Sequence, residues 1–93
     1  MKLQVSRRAV GQLYRIADFI HRHDPTAALN VQRTIRDAFQ LLADFPDAGR
    51  IVRPNIRRFV VPRLPDLIYY TVNTTEDAVV IVTVRHAARR RLT

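Results

Sequence analysis

The apolar residues in the first half of the chain recur at helical spacing in two consecutive runs. The first run extends from residue 7 to about residue 23, and the second continues to residue 45 after a break at Asp24-Pro25. Ser6 and Asp24 are predicted N-caps, and Pro25 suits a first helical position because its missing N–H needs no partner there. So short a joint predicts an antiparallel helical hairpin, whose apolar stripe the rest of the chain must cover. The stripe consists of Leu13, Ile16, Ile20, Val31, Ile35, Phe39 and Leu42.

The second half of the chain has the pattern of strands. Residues 56–61, 67–72 and 79–86 are rich in β-branched and aromatic residues, and the polar break between the last two predicts a β-hairpin. Residues 1–5 are predicted to form a short opening strand, and residues 51–55 a basic connector. We therefore expect an α+β fold with the order β-α-α-β-β-β, in which a helical hairpin packs on a small antiparallel sheet. The whole chain, residues 1–93, is expected to form a single domain.

A loop with strong turn signals joins the two halves. It reads Phe45-Pro46-Asp47-Ala48-Gly49-Arg50. Pro46 disfavours helical geometry at Phe45 and so predicts the end of the second helix. Gly49 permits a positive φ angle in this loop, which glycine adopts at little cost.

The composition narrows the class of protein. The chain has no cysteine, which excludes a disulfide framework and a thiolate metal site. No stretch approaches the ~20 apolar residues of a membrane span, and the first residues lack the pattern of a secretory signal. His21 and His23 do not share a helix face, so we expect no metal pair there. These features predict a cytoplasmic protein without a cofactor or a metal.

The positive charge is concentrated in two short segments. The net charge is +8, and fifteen of the sixteen basic residues are arginine. Residues 50–65 contain five arginines and no acidic residue, and residues 85–93 contain four arginines and no acidic residue. If the two segments meet in space, they form one strongly positive surface that attracts nucleic acid or an acidic polypeptide.

Five local sequences occur in order along nearly the whole chain. They are Ser6-Arg7-Arg8-Ala9, Asp24-Pro25-Thr26-Ala27-Ala28, Phe45-Pro46-Asp47-Ala48-Gly49-Arg50, Leu67-Ile68-Tyr69-Tyr70 and Val84-Arg85-His86-Ala87-Ala88-Arg89. Together they resemble the RelE/ParE superfamily of bacterial toxins. The resemblance implies a small cytoplasmic toxin of a type II toxin–antitoxin system, held inactive by an acidic, ParD-like antitoxin. ParE-like members act on DNA gyrase, whereas RelE-like members cleave messenger RNA in the ribosomal A site.

Two departures from the RelE-like nucleases favour the ParE-like branch. Those nucleases resemble one another in having an arginine just before the aromatic strand and a tyrosine near the C-terminus, but this chain has Leu67 before Ile68 and no tyrosine after Tyr70. RNA cleavage also needs a group that accepts the 2′-OH proton and cations that stabilise the phosphate. An endoribonuclease remains the alternative function, with a His/Arg site. Its candidate residues are His86, Arg50, Arg57 and Arg58.

The hypothesis of a toxin that acts by binding assigns the two arginine segments to different partners. His86 can also be a structural residue at the end of a strand, and of Tyr69 and Tyr70 one is expected in the core and the other partly exposed. A third hypothesis is a basic nucleic-acid-binding module without toxicity. The predicted target-binding residues are Arg85, His86, Arg89, Arg90 and Arg91. The predicted antitoxin-binding residues are Arg50, Arg53, Arg57, Arg58 and Arg63.

Overall fold

The structure, a computed structural model, describes residues 1–64 and 66–86 and has the expected α+β fold. Two helices pack on one face of a sheet whose strand order is β1-β5-β4-β3-β2. The two helices confirm the predicted hairpin. In chain order the elements are β1 (Lys2–Val5), α1 (Arg7–His23), α2 (Pro25–Asp44), β2 (Arg50–Arg53), β3 (Ile56–Val60), β4 (Asp66–Asn73) and β5 (Ala78–His86).

The caps of both helices lie at the predicted residues. The Ser6 hydroxyl accepts a hydrogen bond from the backbone N–H of Ala9. Asp24 Oδ1 accepts from the N–H groups of Thr26 and Ala27, and Pro25 occupies the first turn. These bonds satisfy N–H groups that have no partner within the helix, so the sequence determines where each helix begins.

The sheet has five strands and is mixed, whereas the sequence predicted a small antiparallel sheet with a connector at residues 51–55. β1 pairs in parallel with β5, and the other pairs are antiparallel. The connector prediction was wrong because most of this segment belongs to β2, in which Arg50 pairs with Arg58 on β3. All four residues of β2 are exposed, so this edge strand lacks the alternation of buried and exposed positions that reveals a strand in a sequence.

In the described part of the chain, the two helices cover one face of the sheet, which we call the inner face. β4 alternates between buried and partly buried residues, and its buried side chains Ile68 and Tyr70 face the helices. The other face, the outer face, therefore carries Tyr69. The buried apolar core is formed by Ala9, Ile16, Ile35, Ala38, Phe39, Leu42, Val61, Ile68, Tyr70, Val79, Ile81 and Val84.

The loop between α2 and β2 is fixed to the sheet by Tyr70. Its hydroxyl accepts a hydrogen bond from Gly49 N–H and donates one to Pro46 O, both at 2.7 Å. Burial raises the pKa of the Tyr70 hydroxyl, which keeps it protonated as a donor. Gly49 does not adopt the positive φ that glycine permits. Glycine is needed there because a Cβ atom would lie 2.6 Å from the Tyr70 ring.

Candidate functional site

A row of cationic and aromatic side chains crosses the outer face of the sheet. Arg50 pairs with Arg58, Arg58 pairs with Tyr69, and residues directly paired across strands point to the same face. Arg85, at the end of β5, has its guanidinium carbon 5.4 Å from the centroid of the Tyr69 ring. This distance suits a cation–π contact. We call Arg50, Arg58, Tyr69 and Arg85 the arginine face.

The arginines of this face have no carboxylate partner among residues 1–64 and 66–86. The ion pairs of the described residues involve other basic side chains. Asp66 is the only acidic residue in the described strands, and it lies on the inner face, opposite His86 in the β4–β5 ladder. Arg50 and Arg58 are a like-charged pair directly across two strands, an arrangement that disfavours folding. The arrangement of charges on the arginine face therefore does not stabilise the fold, but it is well suited to an anionic partner.

Arg57, the neighbour of Arg58 on β3, points to the inner face and has a structural role. Its Nη1 donates to Gly49 O at 2.7 Å, and its Nη2 lies 3.3 Å from an Asp47 carboxylate oxygen. Together with Tyr70, it fixes the loop that leads into β2. Arg57 is thus separated from the arginine face, although the sequence analysis grouped it with Arg50 and Arg58.

His86 also lies on the inner face, where its Nδ1 hydrogen-bonds to Oδ1 of Asp66. The Asp66 carboxylate is fully buried, and the His86 side chain is 10% exposed. Burial raises the pKa of Asp66, and the hydrogen bond and positive charge of His86 oppose that rise. The sheet thus separates His86 from Arg50 and Arg58, so the His/Arg nuclease group named in the sequence analysis does not converge on one site.

The remaining predicted arginines fall into three groups. Arg53 is exposed at the end of the edge strand β2, and Arg63 lies in the turn after β3 with a φ angle of 67°. Arg85 belongs to the arginine face. Residues 89–91 lie outside the described residues. The sheet therefore brings one residue of the C-terminal segment, Arg85, to the same face as Arg50 and Arg58.

Two contacts at the end of the β4–β5 ladder were not predicted from the sequence, although the strand pattern contained a signal for both. Asp66 was not singled out in the sequence analysis, and Tyr69 was not linked to Arg85. Pairing the two predicted strands 67–72 and 79–86 as a hairpin places the start of the first strand beside the end of the second. That pairing alone would have brought Asp66 near His86.

A second feature is an apolar groove of about 430 Å³ between the two helices. Tyr14 on its rim is 73% exposed, an unusual position for a large aromatic side chain. Arg36 adds a positive charge to the lining. The main apolar residues that line the groove are Val10, Leu13, Tyr14, Val31, Ile35 and Phe39.

The described residues contain no group of three metal-ligating side chains. Neither helix of this part of the chain is long and apolar enough to cross a membrane. The chemistry available on the arginine face is therefore that of guanidinium groups and one phenol. Guanidinium groups bind carboxylate and phosphate oxygens with paired hydrogen bonds, and a phenol ring offers a surface for stacking.

The sequence and the fold are similar to those of known bacterial toxins. Residues 3–91 match the family described as ParE toxin of type II toxin-antitoxin system, parDE. The chain is 37% identical over 82 residues to Toxin RelE2 of Caulobacter vibrioides, which covers 88% of this chain and 90% of that protein. It is 33% identical over 87 residues to the putative toxin Y4kP of Sinorhizobium fredii, with 92% and 88% covered.

Two solved structures share the fold at lower sequence identity. The structure described as the chromosomal ParDE TA system from P. aeruginosa aligns with a TM-score of 0.81 at 23% identity, over 92% of this chain and 95% of that chain. The isolated E. coli RelE toxin aligns with a TM-score of 0.62 at 14% identity, over 99% of this chain and 98% of that chain. At these identities the likeness concerns the fold alone.

Proposed function

The chain belongs to the ParE toxin family of type II toxin–antitoxin systems, and we propose that it inhibits growth by binding and poisoning DNA gyrase through its arginine face. The observation that carries this proposal is the placement of Arg50, Arg58 and Arg85 on the uncovered face of the sheet, without carboxylate partners among the described residues. Arginines without a carboxylate partner provide a surface for a macromolecule that carries negative charge.

The arrangement of titratable groups supports binding rather than catalysis. Cleavage of RNA requires a proton acceptor close to the cations that stabilise the phosphate. Tyr69 is the one titratable group besides arginine in the arginine face, and His86 bonds to Asp66 on the opposite side of the sheet. A guanidinium stays protonated near neutral pH and so cannot act as the base.

The proposed natural partner is a cognate antitoxin with an acidic, ParD-like segment. The groove between α1 and α2 suits the apolar side of an amphipathic helix, a common mode of peptide recognition. Acidic residues of the same segment would pair with Arg36 at the groove and with the exposed arginines of β2. A partner that covers these surfaces neutralises charge that the toxin leaves unpaired.

A supercoiling assay with purified gyrase, relaxed plasmid and purified toxin tests the proposed target. We expect the toxin to inhibit supercoiling in a dose-dependent way, and we expect Arg50→Ala with Arg58→Ala to weaken inhibition by at least tenfold. Arg22→Ala is the control, because Arg22 is exposed on α1 and pairs only with Asp18 among the described residues. Unaffected supercoiling at saturating toxin would refute gyrase as the target.

The likeness to Toxin RelE2 supports a second candidate function, a ribosome-dependent endoribonuclease. Primer extension on translated messages after induction of the toxin distinguishes the two. Cuts at codon boundaries, together with unaffected supercoiling, would replace the gyrase proposal with the nuclease. If supercoiling is unaffected and no message is cut, salt-sensitive binding to duplex DNA would indicate a plain nucleic-acid-binding module.

A further inference from the structure

Within the described sheet, the end of β5 has a neighbouring strand, β4, on one side only, and side chains bond to it on the other side. β1 ends at Val5, which pairs with Ile81, so β5 continues past it without a strand on that side. Beyond this point the Ser6 hydroxyl donates to Val82 O at 2.9 Å, and Gln12 Oε1 accepts from Val84 N–H at 2.8 Å. Two side chains thus replace the missing strand as far as Val84.

The end of the β4–β5 ladder has a side-chain contact on each face of the sheet. On the inner face, Asp66 accepts a hydrogen bond from His86. On the outer face, the adjacent residue Arg85 lies over the Tyr69 ring. Because consecutive residues of a strand point to opposite faces, the backbone position that the inner contact fixes also determines where Arg85 points.

The inner contact is an unusual one to keep for stability. Asp66 is fully buried, and its Oδ2 atom has no hydrogen-bond partner among the described residues. A buried carboxylate with one free oxygen disfavours folding, and an apolar pair of similar size would serve stability at least as well. The pair does, however, define one register and one spacing for the two strand ends, because a hydrogen bond is directional.

We propose that Asp66 and His86 are positioning residues that hold the end of β5 against β4, so that the Arg85 guanidinium stays over Tyr69 at the border of the arginine face. This inference rests on the proposed function in so far as Arg85 contacts the target. The hydrogen bond to one buried oxygen fixes His86, and His86 fixes the direction of its neighbour. Arg85 then presents its donors to the partner in one orientation instead of sampling many.

The test measures the position of Arg85 directly, by NMR of the Arg85 side-chain Nε–H signal, assigned with Arg85→Lys. A guanidinium over an aromatic ring has its signal shifted by the ring, and Tyr69→Leu calibrates that shift. We expect Asp66→Leu and His86→Phe to abolish the shift, because each removes one partner of the hydrogen bond and keeps a side chain of similar size. Asp66→Asn should retain the shift, since an amide oxygen still accepts from His86 Nδ1–H.

Val79→Ala separates positioning from a general loss of stability. Val79 is fully buried at the opposite end of the same strand, and its truncation loosens the core without touching the pair. We expect this variant to lower the thermal midpoint and to keep the Arg85 signal shifted. An unchanged shift in Asp66→Leu or His86→Phe would overturn the proposal, and so would its loss in Val79→Ala.

The same variants, added to the gyrase assay, keep the two proposals distinguishable. Asp66→Leu and His86→Phe should raise the half-inhibitory concentration about tenfold per folded molecule, and Asp66→Asn less than twofold. If the wild-type toxin does not inhibit gyrase, the proposed function fails, while the NMR shifts still decide whether Asp66 and His86 position Arg85.

Discussion

The inner and outer faces of the sheet carry the same two residue types, arginine and tyrosine, in different surroundings. On the inner face, Tyr70 and Arg57 bond to the loop between α2 and β2 through Pro46, Gly49 and Asp47. On the outer face, their chain neighbours Tyr69 and Arg58 have no partner in that loop. The comparison teaches that position in the strand, and not residue type, separates the side chains that hold the fold together from those that are left free of the loop on the outer face of the described sheet.

Gly49→Ala is expected to have the largest effect on the inner face. A Cβ atom at residue 49 would lie 2.6 Å from both Cε1 and the hydroxyl of the buried Tyr70 side chain, so the loop and the ring must separate. We expect a loss of about 3 kcal/mol in the free energy of unfolding, measured by urea denaturation. Gly11→Ala is the matched control, because its Cβ would meet only the end of the Arg15 side chain and alanine favours the helix. Equal losses in both variants would contradict the role of Tyr70.

Tyr70→Phe against Tyr69→Phe compares the two tyrosines directly. Removal of the Tyr70 hydroxyl leaves Gly49 N–H and Pro46 O without their partner, which should destabilise the protein by about 2 kcal/mol. Tyr69→Phe should change stability by less than about 0.5 kcal/mol. Thermal denaturation of the two variants side by side measures this difference. Similar midpoints would contradict a structural role for the Tyr70 hydroxyl that the Tyr69 hydroxyl lacks.

Arg57→Ala against Arg58→Ala makes the same comparison for the arginines. The Arg57 variant loses hydrogen bonds to Gly49 O and the ion pair with Asp47, so we expect it to lose about 1 kcal/mol of stability. The Arg58 variant should be unchanged or slightly more stable, because it relieves repulsion from Arg50. A larger loss in the Arg58 variant would show that the outer face is structural as well.

The smallest expected effect is the pH dependence of Asp66→Asn. Burial raises the pKa of Asp66 above its ordinary value of 3.8, with the His86 contact opposing it. A carboxyl with a raised pKa in the folded protein stabilises the fold below pH 3.8 and loses that contribution as the pH rises through the folded-state pKa. The wild-type protein should therefore lose stability relative to Asp66→Asn as the pH rises above 3.8. Denaturation curves from pH 3 to 7 measure the difference, and the opposite slope would contradict it.

The sequence predicted the elements that depend on local signals. The caps at Ser6 and Asp24 and the periodic apolar stripe located both helices, and the β-branched runs located the last three strands. β2 was missed because an exposed edge strand of four residues has no buried positions to alternate with. The local signal that could have revealed it is the turn Pro54-Asn55, which joins β2 to β3 as a hairpin and in which Asn55 has a φ angle of 64°.

The candidate site was predicted in composition but not in geometry. Charge concentration identified Arg50, Arg58 and Arg85, yet it also grouped Arg57 and His86 with them. Separating these residues requires the register of β3 against β4, since a shift by one residue moves each side chain to the other face. The bulge in the β4–β5 ladder, where Tyr69 pairs with Thr83 and Tyr70 with Ile81, makes the faces of Arg85 and His86 harder to infer from alternation.

The claim that the outer face binds the target is tested most directly by a gyrase inhibition assay. It compares Arg57→Ala with Arg58→Ala at equal concentrations of folded toxin. The account predicts that Arg58→Ala raises the half-inhibitory concentration about tenfold, whereas Arg57→Ala leaves it within twofold of wild type. Equal inhibition by both variants, or a greater loss in Arg57→Ala, would contradict the account.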